Sequence, residues 1–152
     1  MKKSIVFLPA ILLIACSALT GEEVGRLAIN QVSSGENLIT QEASVVLEAG
    51  DEIIFWSEMD MEYTGNVALR FRVSIKKGDE PYGNMEIDPT EMDLTLGESK
   101  TTENGKTSWS FSAQNAAFNV QEDGTYTFQA ILVASENQSI VIKKAELVLK
   151  KI

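Results

Sequence analysis

Three side chains of this sequence could together do recognition chemistry: Trp56, Glu58 and Arg72. A ring, a carboxylate and a guanidinium are what a protein uses to stack a pyranose face and to bond its hydroxyls. Trp56 stands out by phase. In Glu52–Tyr63 the odd positions Ile53, Phe55, Met59, Met61 and Tyr63 form the apolar set, whereas Trp56 falls among the even positions with Ile54, Glu58, Asp60 and Glu62. An aromatic on the charged side of a strand is either an exposed platform or covered by a loop, a neighbouring strand or a second layer. Trp109 and Tyr126, in phase with Phe111 and Phe128, read as core.

Two acidic groupings offer other chemistry. Glu58, Asp60 and Glu62 alternate along one strand face, about 7 Å between successive side chains, and glycosidases use carboxylate pairs roughly 5–10 Å apart. Arg70 and Arg72 on the following strand offer a salt-bridge ladder as the plainer use of the same residues. Asp79, Glu86, Asp88 and Asp93 lie in an acidic, proline- and glycine-containing stretch. Hard oxygen ligands in such a loop suit a structural Ca²⁺, although the spacing is not that of an EF-hand. The chain has no histidine, which removes Ser-His-Asp and Cys-His nucleophiles, histidine-bound zinc and the usual general base near neutral pH. A non-enzymatic protein without a catalytic residue is therefore expected.

The single cysteine has a specific context. Lys2 and Lys3 precede an apolar run from Ile5 to Ile14. As a helix that run would span about 15 Å, half of a bilayer's hydrocarbon core, which fits a secretory signal better than a permanent span. Leu13-Ile14-Ala15-Cys16 resembles the lipobox of bacterial lipoproteins. That resemblance implies cleavage before Cys16, lipidation of its thiol, and two or three palmitate-type acyl chains, enough for a stable membrane anchor. Ser17 resembles the residue that permits outer-membrane sorting where a host has two membranes. The expected organisation is a signal peptide over 1–15, a lipidated cysteine and tether over 16–25, and one domain over 26–152.

Composition narrows the partners. The full chain carries 13 basic and 22 acidic residues; loss of Lys2 and Lys3 would leave 11 against 22, a net charge of −11. Such a domain repels phosphate backbones, so nucleic acid is not an expected partner. With Cys16 lipidated, no thiol remains for a disulfide.

The elements that must position these residues are strands. Period-two alternation marks 26–32, 44–49, 52–63, 67–76, 107–112, 115–121, 125–134 and 139–149. A hairpin is expected across Thr64-Gly65-Asn66, with Tyr63 opposite Val67, Asp60 opposite Arg70 and Glu58 opposite Arg72; a four-residue loop would oppose Glu62 to Arg70 and Asp60 to Arg72. The apolar phase switches across Lys143-Lys144, predicting a β-bulge or a bend. Asp88-Pro89-Thr90-Glu91 has a cap, a first-turn proline and a returning glutamate, sufficient for one helical turn. Asn137-Gln138-Ser139 reads as an exposed turn. The expected fold is all-β, an antiparallel jelly-roll-like sandwich. Residues 49–62 and 124–149 resemble strands of galactose-binding-like and carbohydrate-binding jelly-roll modules. The resemblance implies a ligand-binding module, with carbohydrate the leading class; no binding residue of those families maps onto this chain. The alternative is a structural or accessory envelope lipoprotein that binds another protein.

Overall fold

The computed structural model describes residues 20–136 and 139–152. The lipobox with Cys16, Ser17, and the first two residues of Asn137-Gln138-Ser139 lie outside them. Among the described residues no helix is long and apolar enough to cross a membrane.

Nine strands are described: β1 (Glu22–Ala28), β2 (Gln41–Leu47), β3 (Glu52–Thr64), β4 (Leu69–Lys77), β5 (Glu80–Ile87), β6 (Leu94–Glu103), β7 (Lys106–Asn119), β8 (Gly124–Ala134) and β9 (Val141–Lys151). They form two antiparallel sheets, one in the order β1-β9-β3-β7-β6 and the other β2-β8-β4-β5. The pairs β1·β9, β2·β8, β3·β7 and β4·β5 are those of one long hairpin wound around a core. That is the topology of a jelly roll, with β6 added at an edge. The all-β sandwich expected from the alternation is what forms.

Alternation explains the packing. Leu69, Phe71, Val73 and Ile75 of β4 are buried, as are Tyr126, Phe128, Ala130 and Leu132 of β8; from the other sheet they meet Phe55, Met59 and Met61 of β3 and Leu147 and Leu149 of β9. Phe55 and Phe118 both meet Phe128 edge-on, at centroid distances of 5.8 and 5.9 Å, the geometry that the ring quadrupole favours.

Local pairing is where the sequence misleads. β3 and β4 do not form a hairpin; β3 pairs with β7 and β9, and β4 with β5 and β8. The Thr64-Gly65-Asn66 segment carries the chain from one sheet to the other. Both apolar sets do face one core, but from opposite sides, so the charged sets point away from each other. The true hairpins lie later. β4 and β5 join through Gly78-Asp79, with Gly78 (φ 59°) at the position where a type II′ turn needs glycine; β6 and β7 join through Asn104-Gly105, both at positive φ, as a type I′ turn requires.

The bulge expected near Lys143-Lys144 is present: Asp60 faces Lys144 and Met61 faces Ile142, leaving Lys143 unmatched. The segments 107–112 and 115–121 belong to one strand, β7, bulged at Asn115 where Phe55 faces Ala116 and Trp56 faces Gln114. β1 begins at Glu22, which takes residues 22–25 out of the tether and into the sheet. Asp88 caps a hydrogen-bonded turn rather than a helical one, accepting from the Thr90 amide at 2.8 Å while its carbonyl accepts from Glu91 N at 3.2 Å.

Candidate binding face

Because β3 and β4 are in different sheets, the trio Trp56, Glu58 and Arg72 is split between the two outer faces of the sandwich. On the five-stranded sheet, Trp56 is 1% exposed and packs with Ile54 and Val148 as a small cluster apart from the core. The Lys150 ammonium lies 4.2 Å from its ring centroid, so a lysine of the chain, not a sugar, covers the π face. Its indole N–H has no hydrogen-bond partner among the described residues. Of the two readings open for Trp56 the covered one forms, so the candidate ligand-stacking role of this ring is corrected. Trp109 is half-buried against Phe111, donates to Glu98 Oε1 at 2.8 Å and has Lys100 over its ring.

Of the three alternating carboxylates, Glu58 and Glu62 are ion-paired, with partners other than the expected arginines, whereas the Asp60 side chain forms no ion pair or hydrogen bond with another described residue. Arg26 Nη1 bonds Glu58 at 2.9 Å and also Glu146, while its Nε holds Glu23 at 2.8 Å. Lys144 reaches Glu58 at 2.5 Å. Glu62 lies between Lys106 at 2.8 Å and Lys143 at 2.7 Å. The Arg26 hydrogen bond, outweighing the partial burial of the group, holds the Glu58 carboxyl down at about 2. Hydrogen bonds from Lys106 and Lys143 hold Glu62 at about 2 as well. Both are anions at neutral pH and neither can serve as the proton donor that glycoside cleavage needs.

Nor do the four acids proposed for calcium converge. Asp79 and Asp88 lie at opposite ends of β5, on the order of 25–30 Å apart. Glu86 is bound to Arg72 at 3.0 Å; Asp88 is bound to Arg70 at 2.5 Å and to Thr90. Among the described residues no three His, Cys, Asp or Glu side chains gather in a way that could hold a metal ion. The physical reason is that residues 80–87, read as loop, are a strand.

Arg72 lies elsewhere, in a cleft of about 540 Å³ on the outer face of the four-stranded sheet. Its floor is Arg72 and Ser74 of β4 with Gln129 and Ile131 of β8; one wall is Asn84 and Glu86 of β5, the other Leu38 and Thr40. The Leu38 wall is built by a closed loop. Val32 makes a parallel bridge to Leu132, the Ser33 hydroxyl accepts from Ile39 N at 2.8 Å, and a Ser34–Asn37 turn closes the loop. Leu38 remains 65% exposed.

The register sets Gln129, Ser74 and Asn84 side by side across three strands, and Ile131, Arg72 and Glu86 in the next outward row. Apart from the Arg72–Glu86 pair, no side chain of Thr40, Ser74, Asn84 or Gln129 forms a hydrogen bond to another described residue. The cleft thus offers free amide and hydroxyl groups beside the apolar Leu38 and Ile131. Sequence reasoning missed all of these except Arg72 and Glu86. One signal was available: Ile131 is as much out of phase on β8 as Trp56 is on β3. Comparison with protein-family models and with curated proteins finds no match for this chain.

Proposed function

We propose that the protein is a lipid-anchored, non-enzymatic binding module of the bacterial cell envelope, and that its ligand, a carbohydrate, lies in the cleft over β8, β4 and β5. The observation that carries this reading is the row Gln129–Ser74–Asn84, a set of unpaired donors and acceptors on rigid strands beside two apolar side chains. Sugars present hydroxyls and C–H faces together, and strand-borne groups bind them without an ordering penalty from loops. The anchor reading rests on Leu13-Ile14-Ala15-Cys16, with Ser17 directing the protein to the outer membrane where the host has two. Absence of histidine and the paired state of Glu58 and Glu62 support a role without catalysis.

A glycan array followed by calorimetry on the best ligand tests it. The expected result is binding that the double variant N84A/Q129A weakens about ten-fold or more, each lost hydrogen bond contributing on the order of 1 kcal/mol. No glycan binding, or binding indifferent to that variant, overturns the assignment.

A second reading, an accessory lipoprotein that docks another protein, is favoured by a different observation. β6 is the free edge of its sheet, exposed along nearly its whole length, with Leu94 and Leu96 46% and 48% exposed. A free edge is a template for an added strand. Crosslinking that traps one envelope protein, lost in L94K/L96K, would favour it.

A further inference from the structure

We infer that the ligand of the cleft is anionic, a polysaccharide bearing carboxylate or sulfate groups and laid along β4; the inference rests on the reading of the cleft as a carbohydrate site.

The outward column of β4 is Arg70, Arg72, Ser74 and Lys76, three cations of four in a chain whose net charge is −9. Arg70 is committed to Asp88 and to the Leu69 carbonyl. The other two are not. Glu86 holds Arg72 through Nε alone, and the two Nη nitrogens make no hydrogen bond to a described residue. The guanidinium is thus oriented by one carboxylate while its outer edge, the edge that pairs bidentately with carboxylate or sulfate, is free. Lys76 is exposed and makes no ion pair or hydrogen bond among the described residues. It stands one outward position beyond Ser74.

The order along the strand is therefore guanidinium, hydroxyl, ammonium; the Ser74 row ends on β2 at the exposed Glu42, beside Gln129, so the ligand's anionic groups lie over β4 and not toward β2. Arg72 and Lys76 are four residues apart, about 13 Å, and between them lies Ser74 with Asn84 on one side and Gln129 on the other. That pattern fits two anionic groups separated by a hydroxylated unit, as in a polymer of acidic sugars. The net negative charge of the domain works against long-range attraction of any polyanion, so the recognition is local, made by these two cations at contact distance.

The test uses the purified full chain in detergent, with polygalacturonate, dextran sulfate, neutral dextran and poly-glutamate as probes. The expected result is that polygalacturonate or dextran sulfate binds and dextran does not, that binding falls as salt is raised, and that R72A and K76A each weaken it about ten-fold, as befits loss of one charge-assisted hydrogen bond. K100A, which removes a cation from the other sheet, should leave it unchanged. R72K should not restore the loss, because an ammonium lacks the two-pronged edge. Thermal melts of R72A and K76A confirm that the fold is intact. If a neutral glycan binds, depends on Asn84 and Gln129, and ignores R72A and K76A, the cleft stands and the anionic ligand is overturned. If poly-glutamate binds as well as the polysaccharides, the carbohydrate assignment is overturned. If no glycan, charged or neutral, is retained, both readings fail.

Discussion

The two outer faces of the sandwich carry similar residue types and treat them oppositely. On the five-stranded sheet, Arg26 and Lys144 are surrounded by Glu23, Glu58 and Glu146, and Glu62 by two lysines. The one aromatic there is 1% exposed. On the four-stranded sheet, the amides and hydroxyls of the cleft bond no side chain among the described residues, and Arg72 keeps its outer edge free of them. The first face commits Glu58, Glu62 and Arg26 to ion pairs and buries its one unpaired indole N–H; the second leaves donors and acceptors available at the surface. A binding face is thus distinguished less by which residues it holds than by whether the fold has already paired them.

The sharpest way to break this contrast is to remove the centre of the self-paired face. R26A leaves Glu58 and Glu146 with Lys144 alone and Glu23 with no ion pair among the described residues; Glu146 and Glu58 are only 15% and 25% exposed at their side chains. Uncompensated, half-buried charge is costly, and the expected loss is about 2–3 kcal/mol in urea unfolding. R72A, at a side chain 60% exposed, should change stability by less than about 0.5 kcal/mol. Equal effects from the two substitutions would erase the distinction between the faces.

Acid should act on the same face. Glu58 is held at about 2 in the folded protein against 4.5 in its ordinary state. Its contribution to stability is complete above pH 4.5 and is lost as pH falls from 4.5 through 2, because the unfolded chain takes up the proton first. The expected loss across that window is about 1–3 kcal/mol, seen as a falling urea midpoint. Glu62 shifts in the same direction. In R26A the dependence should flatten, since the first cause of the Glu58 shift is gone. Binding in the cleft over the neutral range should not follow this titration.

How much of this was legible in the sequence follows from what local pattern encodes. Period-two alternation marks which side chains of β3, β4 and β8 enter the core, because burial acts on one strand at a time. The bulge at Lys143 was legible for the same reason, as a break in phase within a single strand. Partners are another matter. Tyr63 and Val67 looked like a hairpin pair, and Glu58 and Arg72 like its charged counterpart, yet β3 finds its neighbours in β7 and β9. A short turn can just as well hand the chain to the other sheet, and only non-local packing decides. The split of Trp56 from Arg72 follows directly from that. β5 and β6 escaped because acidic residues, prolines and glycines between 79 and 98 resemble a loop; Asn104-Gly105 was the overlooked sign that strands flank it. The loop bearing Leu38 could not be placed at all, since its position depends on a bridge from Val32 to Leu132 across a hundred residues of chain.

On the open face, the middle row of the cleft can be tested without touching charge. S74A removes a hydroxyl between two amides and should weaken the ligand about three- to ten-fold, an exposed hydrogen bond being worth on the order of 1 kcal/mol, with an unchanged unfolding midpoint. T127A is the control: Thr127 lies on the same sheet face, but its hydroxyl is already bonded to Ser44 at 2.8 Å. It should leave affinity alone. If T127A weakens the ligand as much as S74A does, pairing within the fold does not mark the boundary of the site.

The smallest effect is optical and concerns the tryptophans directly. Trp56 is covered and Trp109 half-buried, so acrylamide should quench chiefly Trp109. W109F should remove the quenchable component and leave a protected, blue-shifted emission; W56F should do the reverse. If the quenchable component instead disappears in W56F, Trp56 is open to solvent, and the five-stranded face regains an aromatic platform beside Glu58. The cleft over β4 would then lose its claim to be the only face with recognition groups free, and glycan binding would have to be mapped on both.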